Sequence, residues 1–433
     1  MHTLKALKEG SLFGIKKLTL AEELTEFPKE IYNLAETLEV LDMTNNNLSS
    51  LPSDFTKLKN LKILFLSNNQ FQEFPAVLAN CSKLSMIGFR NNQIHYLPEN
   101  ALPLGTRWLI LTDNNLTKLP DSIGNLFYLQ KMMLSGNELR SLPTSLSKCQ
   151  NLELLRIAVN RLKEFPICLL ALPKLSWLAY SGNPFCTKHP RTKNKLDEVQ
   201  WDKLVIEKLL GEGASGHIYA AMYNNKKVAV KIFKGAITSD GLPEEEMNIN
   251  IAMGSHVHLI DALALVIDHP EGKNVLMLEL IPEEYVNLGF PPTLATCSRD
   301  VYAKDLSFSL NQVISILQGM VKAAFHMHRG GIMHGDFYAH NIMINKDAHA
   351  ILGDFGGASY FEPKEKIISN ALERLEVRAY GCLIEELLNL CTYDTGDNLE
   401  REKLLKLQIR CMHSNISERP LFEEILVEML YLE

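Results

Sequence analysis

The chain has 433 residues, 46% of them hydrophobic and 22% charged, with a formal net charge of −7. That is too apolar for a disordered chain and too long for one ordinary core, so a globular protein of two domains is expected. Basic residues number 19 against 16 acidic ones through residue 187, leaving 25 against 35 of the totals of 44 and 51. They form no stripe dense enough to neutralise a phosphate backbone, so no nucleic-acid partner is expected.

The eight cysteines, Cys81, Cys149, Cys168, Cys186, Cys297, Cys382, Cys391 and Cys411, include no CxxC pair. Reduced thiols are expected, with neither a disulfide frame nor a zinc site. The first residues, MHTLKALKEGSLFGIKKL, lack the apolar core of a signal peptide, and no apolar run has membrane-spanning length. No membrane span is expected, and the default compartment is the cytoplasm, although an exported effector would read the same way.

Residues 1–186 repeat. The pattern LxxLxLxxNxLxxLP returns with its proline at Pro52, Pro75, Pro98, Pro120, Pro143 and Pro166, a step of 23 residues and once of 22. The matching asparagines are Asn46, Asn69, Asn92, Asn114, Asn137, Asn160 and Asn183. This pattern resembles the leucine-rich repeat family, which implies an α/β solenoid of about seven or eight stacked repeats. Residues 15–28 fit as an atypical capping repeat. The asparagines are expected to satisfy backbone groups at the turn after each strand and to stack as a ladder. The variable strand positions form two columns that are mostly apolar. One runs Val40, Ile63, Met86, Trp108, Lys131, Leu154, Trp177, and the other Asp42, Phe65, Gly88, Ile110, Met133, Arg156, Ala179. An apolar strip there predicts a protein or peptide partner on the concave face, anchored by Trp108 and Trp177 and supported by Phe65 and Met86.

Residues 187–200 (TKHPRTKNKLDEVQ) are polar, break the repeat and read as a short linker to a second domain over 201–433. The segment WDKLVIEKLLGEGASGHIYAAMYNNKKVAVKIF reads as strand, glycine-rich turn, strand, turn and strand. Its GxGxxG glycines are Gly211, Gly213 and Gly216, and a strand follows them where a dinucleotide-binding motif would have a helix. With VAVK ending at Lys231, this resembles the nucleotide lobe of protein kinases. The resemblance implies an α+β two-lobe fold that binds ATP and Mg²⁺. It places Gly211, Gly213, Ala214, Ser215 and Gly216 over the phosphates, Lys231 on the α/β-phosphates, and Ile218 and Ala229 beside the nucleotide.

The remaining motifs come in the family's order. In EEEMNINIAMGSHVHLI, ten residues back from His256 is Glu246, the expected partner of Lys231, with Glu244 and Glu245 on the same turn as alternatives. VLMLELIP resembles the last strand and hinge, with Leu278 as gatekeeper and Glu279 to Ile281 facing adenine with their backbone. IMHGDFYAHNIMI and ILGDFGGAS resemble the catalytic and metal-binding loops. They imply Asp336 as the base and Asn341 and Asp354 as Mg²⁺ ligands. His326 and His328 precede this loop and are expected to close a helix and pack the loop.

The resemblance has departures. Gly335 stands where the family has an arginine that receives an activation-loop phosphate, so activity is expected not to depend on that phosphate. Tyr338 replaces the lysine of serine/threonine kinases, and His340 sits where tyrosine kinases often have arginine. LEVRAYGCLIEELL resembles a helix deep in the C-lobe, with Glu376 at its usual Asp position, and leaves room for only a short activation segment. Arg419-Pro420 resembles the family's RPxFxxI element. The expected activity is phosphate transfer from ATP to a protein hydroxyl, serine or threonine before tyrosine, with the repeats holding substrate or regulator. A nucleotide-binding pseudokinase scaffold and a small-molecule kinase of the aminoglycoside phosphotransferase type are the alternatives.

Overall fold

The computed structural model describes residues 2–186, 196–213, 215–235, 237–238, 240–362, 366–392 and 398–432. It divides into two compact units: Met1–Leu175 with Asn183–Phe185, and Ser176–Gly182 with Cys186–Glu433.

The first unit opens with a short helix, α1 (Leu4–Lys8), whose N-terminus is capped by the Thr3 side chain. Seven three-residue strands follow: β1 (Lys17–Thr19), β2 (Val40–Asp42), β3 (Ile63–Phe65), β4 (Met86–Gly88), β5 (Trp108–Ile110), β6 (Lys131–Met133) and β7 (Leu154–Arg156). Each pairs in parallel with the next. The middle residue of every strand, from Leu18 to Leu155, is fully buried. The return segments are too short for α-helix, and all but the one between β4 and β5 form a short 3-10 turn. Pro28, Pro75, Pro120, Pro143 and Pro166 each stand immediately before one, their fixed φ setting the entry.

The asparagine ladder takes the expected form. Asn69 Nδ2 donates to the carbonyls of Met43 and Leu66 while its Oδ1 accepts from the Leu48 N–H. Asn137 repeats this with Leu111, Leu134 and Leu116. The residue before each ladder asparagine is left-handed: Asn45, Asn68, Asn91, Asp113, Gly136, Val159 and Gly182. Asn, Asp and Gly tolerate that backbone well. Val159, at φ 53°, does not.

The second unit holds strand β8 (Trp177–Ala179), β9 (Asp197–Gln200) and a six-stranded sheet. The sheet is ordered β10 (Val205–Glu212), β11 (Gly216–Tyr223), β12 (Lys226–Phe233), β14 (Val275–Leu278), β13 (Ala262–Ile267) and β9. All its pairings are antiparallel except β13 with β9. Of the residues read as linker, 187–195 lie outside the described residues, and Asp197–Gln200 belong to this sheet. One side chain explains why: Val199 is buried with Leu204, Val228, Val230 and Val266. Alternation along β12 sends Val228 and Val230 to that face and Ala229, Lys231 and Phe233 to the other, where α2 (Pro243–Met253) supplies Met247.

Beyond the sheet come three small ladders and four helices. β15 (Val286–Asn287) pairs with β18 (Ile342–Ile344), which pairs with β19 (Ala350–Leu352). β16 (Phe308–Ser309) pairs with β21 (Cys391–Thr392), and β17 (Ile332–Met333) with β20 (Ser359–Tyr360). Helix α3 (Leu310–Arg329) begins with a Ser309–Gln312 capping box and buries Val313, Leu317, Met320 and Ala324. It is followed by α4 (Lys366–Asn389), α5 (Asn398–Cys411) and α6 (Phe422–Met429).

Candidate active site

The glycine-rich turn joins β10 to β11. A Cβ on Gly211 or Gly213 would meet nothing within 4 Å, whereas one on Gly216 would lie 2.5 Å from the Ile232 carbonyl. Gly216 is therefore required by the close approach of β11 to β12, and the other two leave the turn bare. The turn is pinned from β12's end: Lys234 Nζ donates to Glu212 Oε1 at 2.8 Å and to the Gly213 carbonyl at 3.1 Å. Ser215 belongs to this turn, and Ala214 lies outside the described residues.

Along β12, Ala229 pairs with Leu278 and Lys231 with both Ile218 and Leu276. Ile218, Ala229 and Leu278 thus share one apolar cluster on the face that carries Lys231. Past β14, the Glu279 N–H donates to the Asp261 carbonyl at 2.9 Å. Its carbonyl and the Ile281 backbone are what this strand end offers a ligand.

Lys231 Nζ pairs with Glu246 on α2, and of the three acidic candidates only Glu246 is buried. Burial pushes the Glu246 carboxyl above the usual range against the pull of the Lys231 ammonium, and the nearby Asp354 charge adds to the push.

Two ladders frame the loop that follows α3. β17–β20 holds one side and β18–β19 the other, which brings residues 334–341 against residues 353–358. His334, fully buried, is the pin. Its Nδ1 accepts from the Asp336 N–H at 3.2 Å and its Nε2 lies 3.1 Å from the Gly353 carbonyl, which assigns the Nε2–H tautomer. The Gly353 N–H donates to the Asn341 carbonyl at 2.9 Å. Asn341 Nδ2 donates to the Asp336 carbonyl at 2.9 Å and to Asp336 Oδ2 at 3.1 Å. Asp354 is left-handed at φ 53° and accepts from the Gly356 N–H, while the Phe355 ring packs 5.3 Å from His334. Asp336, Asn341 and Asp354 are thereby gathered in one place, with the Lys231–Glu246 pair within electrostatic reach of Asp354.

A protein kinase domain model matches residues 204–381, and a leucine rich repeat model matches residues 36–94. The chain carries leucine-rich repeats and a protein kinase domain. A probable serine/threonine-protein kinase of Dictyostelium discoideum is 26% identical over 45% of this chain. A protein kinase and PP2C-like domain-containing protein of Oryza sativa subsp. japonica is 28% identical over 35%, and fibroblast growth factor receptor 1 of Pleurodeles waltl is 23% identical over 60%. These matches span 11%, 22% and 38% of the relatives' own lengths. A leucine-rich repeat protein structure from Leptospira interrogans aligns over 42% of this chain and 53% of its own, at 28% identity and a TM-score of 0.36.

Protein kinase domains in general use ATP and Mg²⁺. The donor set of this one fits both. A carboxylate (Asp354) and an amide oxygen (Asn341) are hard ligands suited to Mg²⁺, and the Lys231 cation adjoins an apolar face.

The departures of the kinase domain have physical causes. Gly335 is left-handed at φ 71°, and a Cβ there would lie 2.4 Å from the Gly357 carbonyl and 2.5 Å from that of Leu178. No arginine fits. The N–H groups of His334 and Gly335 donate instead to the two oxygens of Glu376 on α4, at 3.1 and 2.6 Å. His328 Nε2 donates to the same carboxylate at 2.7 Å, and His326 Nε2 lies 2.7 Å from the Met253 carbonyl. Burial opposes ionisation of Glu376, but the His328 and Gly335 hydrogen bonds and the nearby histidines outweigh it and hold its carboxyl below the usual range. Helix α4 begins at Lys366, earlier than the sequence pattern indicates, so the segment after Asp354 is shorter still. Arg419 is buried with Nε on the His413 carbonyl and Nη1 on that of Arg374.

One residue carries no motif. Asp300 accepts from the His340 N–H at 2.9 Å and contacts its Nδ1 at 2.8 Å. Burial alone would disfavour protonated His340, but Asp300, then Asp336 and Asp354, outweigh it and raise its pKa above the ordinary value.

The proposed partner face of the repeats needs correction at two positions. Met86 is 4% exposed, packed in the strand layer, and Trp177 is 1% exposed inside the second unit. Neither is free to anchor a partner. Trp108 and Phe65 remain half-exposed, with Lys131 Nζ 4.4 Å above the Trp108 ring. Phe65 lies over Gly88, where any Cβ would be 2.8 Å from its ring. Among the described residues, no helix is long and apolar enough to cross a membrane.

Proposed function

We propose that this protein is a protein kinase that transfers the γ-phosphate of ATP to a protein hydroxyl, serine or threonine before tyrosine. The observation that carries the reading is the meeting of Asp336, Asn341 and Asp354 beside a buried Lys231–Glu246 pair. Asp336 orients the acceptor hydroxyl and takes its proton. Lys231, fixed by Glu246, sets a positive charge on the apolar face where the α/β-phosphates bind. Asn341 and Asp354 hold Mg²⁺, which when bound neutralises charge on the phosphates. Ile218, Ala229, Leu278 and the strand end at Glu279 and Ile281 receive the base, and Gly211 to Gly216 cover the phosphates. The repeats bind substrate or regulator through the half-exposed Trp108 and Phe65. The serine/threonine preference draws on the name of the Dictyostelium relative.

Incubation with labelled ATP, Mg²⁺ and candidate protein acceptors tests this. Wild type is expected to transfer phosphate, and Asp336→Ala and Asp354→Ala to lose about 10²- to 10⁴-fold in rate. Equal transfer by all three, or none by wild type, overturns it.

A further inference from the structure

Trp177 follows the repeat pattern in sequence, yet its side chain is spent on the catalytic loop. Its indole Nε1–H donates to the Phe337 carbonyl at 3.0 Å, and its ring stacks on Tyr338 with centroids 4.2 Å apart and planes 8° from parallel. These are the two residues directly after Asp336. Other contacts hold the loop on either side of this point: Asn341 grips the Asp336 carbonyl and carboxylate, His334 takes the Asp336 N–H, Glu376 of α4 takes the His334 and Gly335 N–H groups, and Asp300 takes that of His340. The Asn341 N–H donates to the Tyr338 carbonyl at 3.1 Å, and none of these contacts reaches the Phe337 carbonyl, which Trp177 holds.

The segment around Trp177 is itself anchored to the elements that frame the loop. Ser176 Oγ accepts from Arg378 of α4 at 2.7 Å, and the Tyr180 N–H donates to Ser359 Oγ of β20 at 3.1 Å. The Leu178 carbonyl occupies the space that a side chain on residue 335 would need. All these residues belong to the second compact unit.

From this we infer that Trp177 is a positioning residue for phosphate transfer: it fixes the backbone after Asp336 and so sets where the Asp336 carboxylate points. The inference rests on the kinase reading, with Asp336 as the group that meets the acceptor. A residue that only filled space would tolerate an aromatic replacement, whereas a positioning residue would not.

Trp177→Phe keeps most of the apolar volume and the ring but removes the donor, leaving the buried Phe337 carbonyl unpaired. It is expected to lower kcat about tenfold and, through the unpaired carbonyl, the melting temperature by a few degrees, with KM for ATP close to wild type because the nucleotide-facing residues lie on β11, β12 and β14. Trp177→Ala is expected to lower kcat about 100-fold and to raise amide hydrogen exchange across residues 335–341 while β12 and α2 keep their protection. Wild-type kcat in Trp177→Phe, or unchanged exchange across 335–341 in Trp177→Ala, overturns the inference. So does exchange raised equally everywhere, the mark of a general loss of structure. If wild type transfers no phosphate, the kinase reading falls, and the exchange pattern alone decides whether Trp177 sets the loop.

Discussion

In the repeats one contact is made again and again, while around Asp336 every contact is made once. Asn69 and Asn137 take the same three kinds of backbone partner, one carbonyl in their own repeat and a carbonyl and an N–H in the repeat before. His334, Glu376 and Trp177 each have a set of partners found nowhere else in the described residues. Repetition spreads the cost of a lost contact over a stack of similar units. A single-copy network has no such reserve, so substitutions in the two regions should differ in size and in kind.

The largest effect is expected at Gly335. Gly335→Ala must adopt a left-handed backbone and push apart two carbonyls, at a cost of more than about 3 kcal/mol. Chemical denaturation should show that loss together with loss of transfer, and a fully stable, active variant would break the contrast. Next is Asn137→Ala, which leaves the Leu116 N–H without its acceptor, while the Leu111 and Leu134 carbonyls each keep a neighbouring ladder asparagine, Asn114 and Asn160, as donor. It should cost roughly 1–3 kcal/mol in denaturation of the repeats, with kcat unchanged. The smallest effect has the opposite sign. Val159→Gly relieves a left-handed β-branched residue and should stabilise the protein by about 1 kcal/mol, read as a raised melting temperature; a lowered one would mean that the Val159 side chain matters more than its backbone.

The same contrast decides what the sequence makes legible. The asparagine ladder and the buried strand leucines are visible because a 23-residue step repeats them. The Lys231–Glu246 pair, Asp336, Asn341 and Asp354 are visible because their spacing matches a family pattern, and the structure gathers them. The repeat pattern points Trp177 the wrong way for a physical reason. It occupies a column in which Val40, Ile63, Trp108 and Lys131 stay partly exposed, and its partner Phe337 is 160 residues away in the chain. Asp300 gave no signal, because a lone acid 40 residues before His340 in an irregular stretch looks like any surface carboxylate. The strand at Asp197–Gln200 hid in a polar segment because only Val199 is apolar and inward. Met86 shows the limit of strand alternation, since a position that points away from the core can still be covered by its neighbours.

On the kinase reading, packing within the chain holds the loop around Asp336, with Glu376, Gly335 and Trp177 in place of an added phosphate. The most direct test is the rate of phosphate transfer by protein stripped of all phosphate with a phosphatase, measured beside untreated protein and Asp336→Ala. Equal initial rates are expected for the treated and untreated protein, and none for the variant. A stripped protein that stays inactive until phosphate is restored would contradict it.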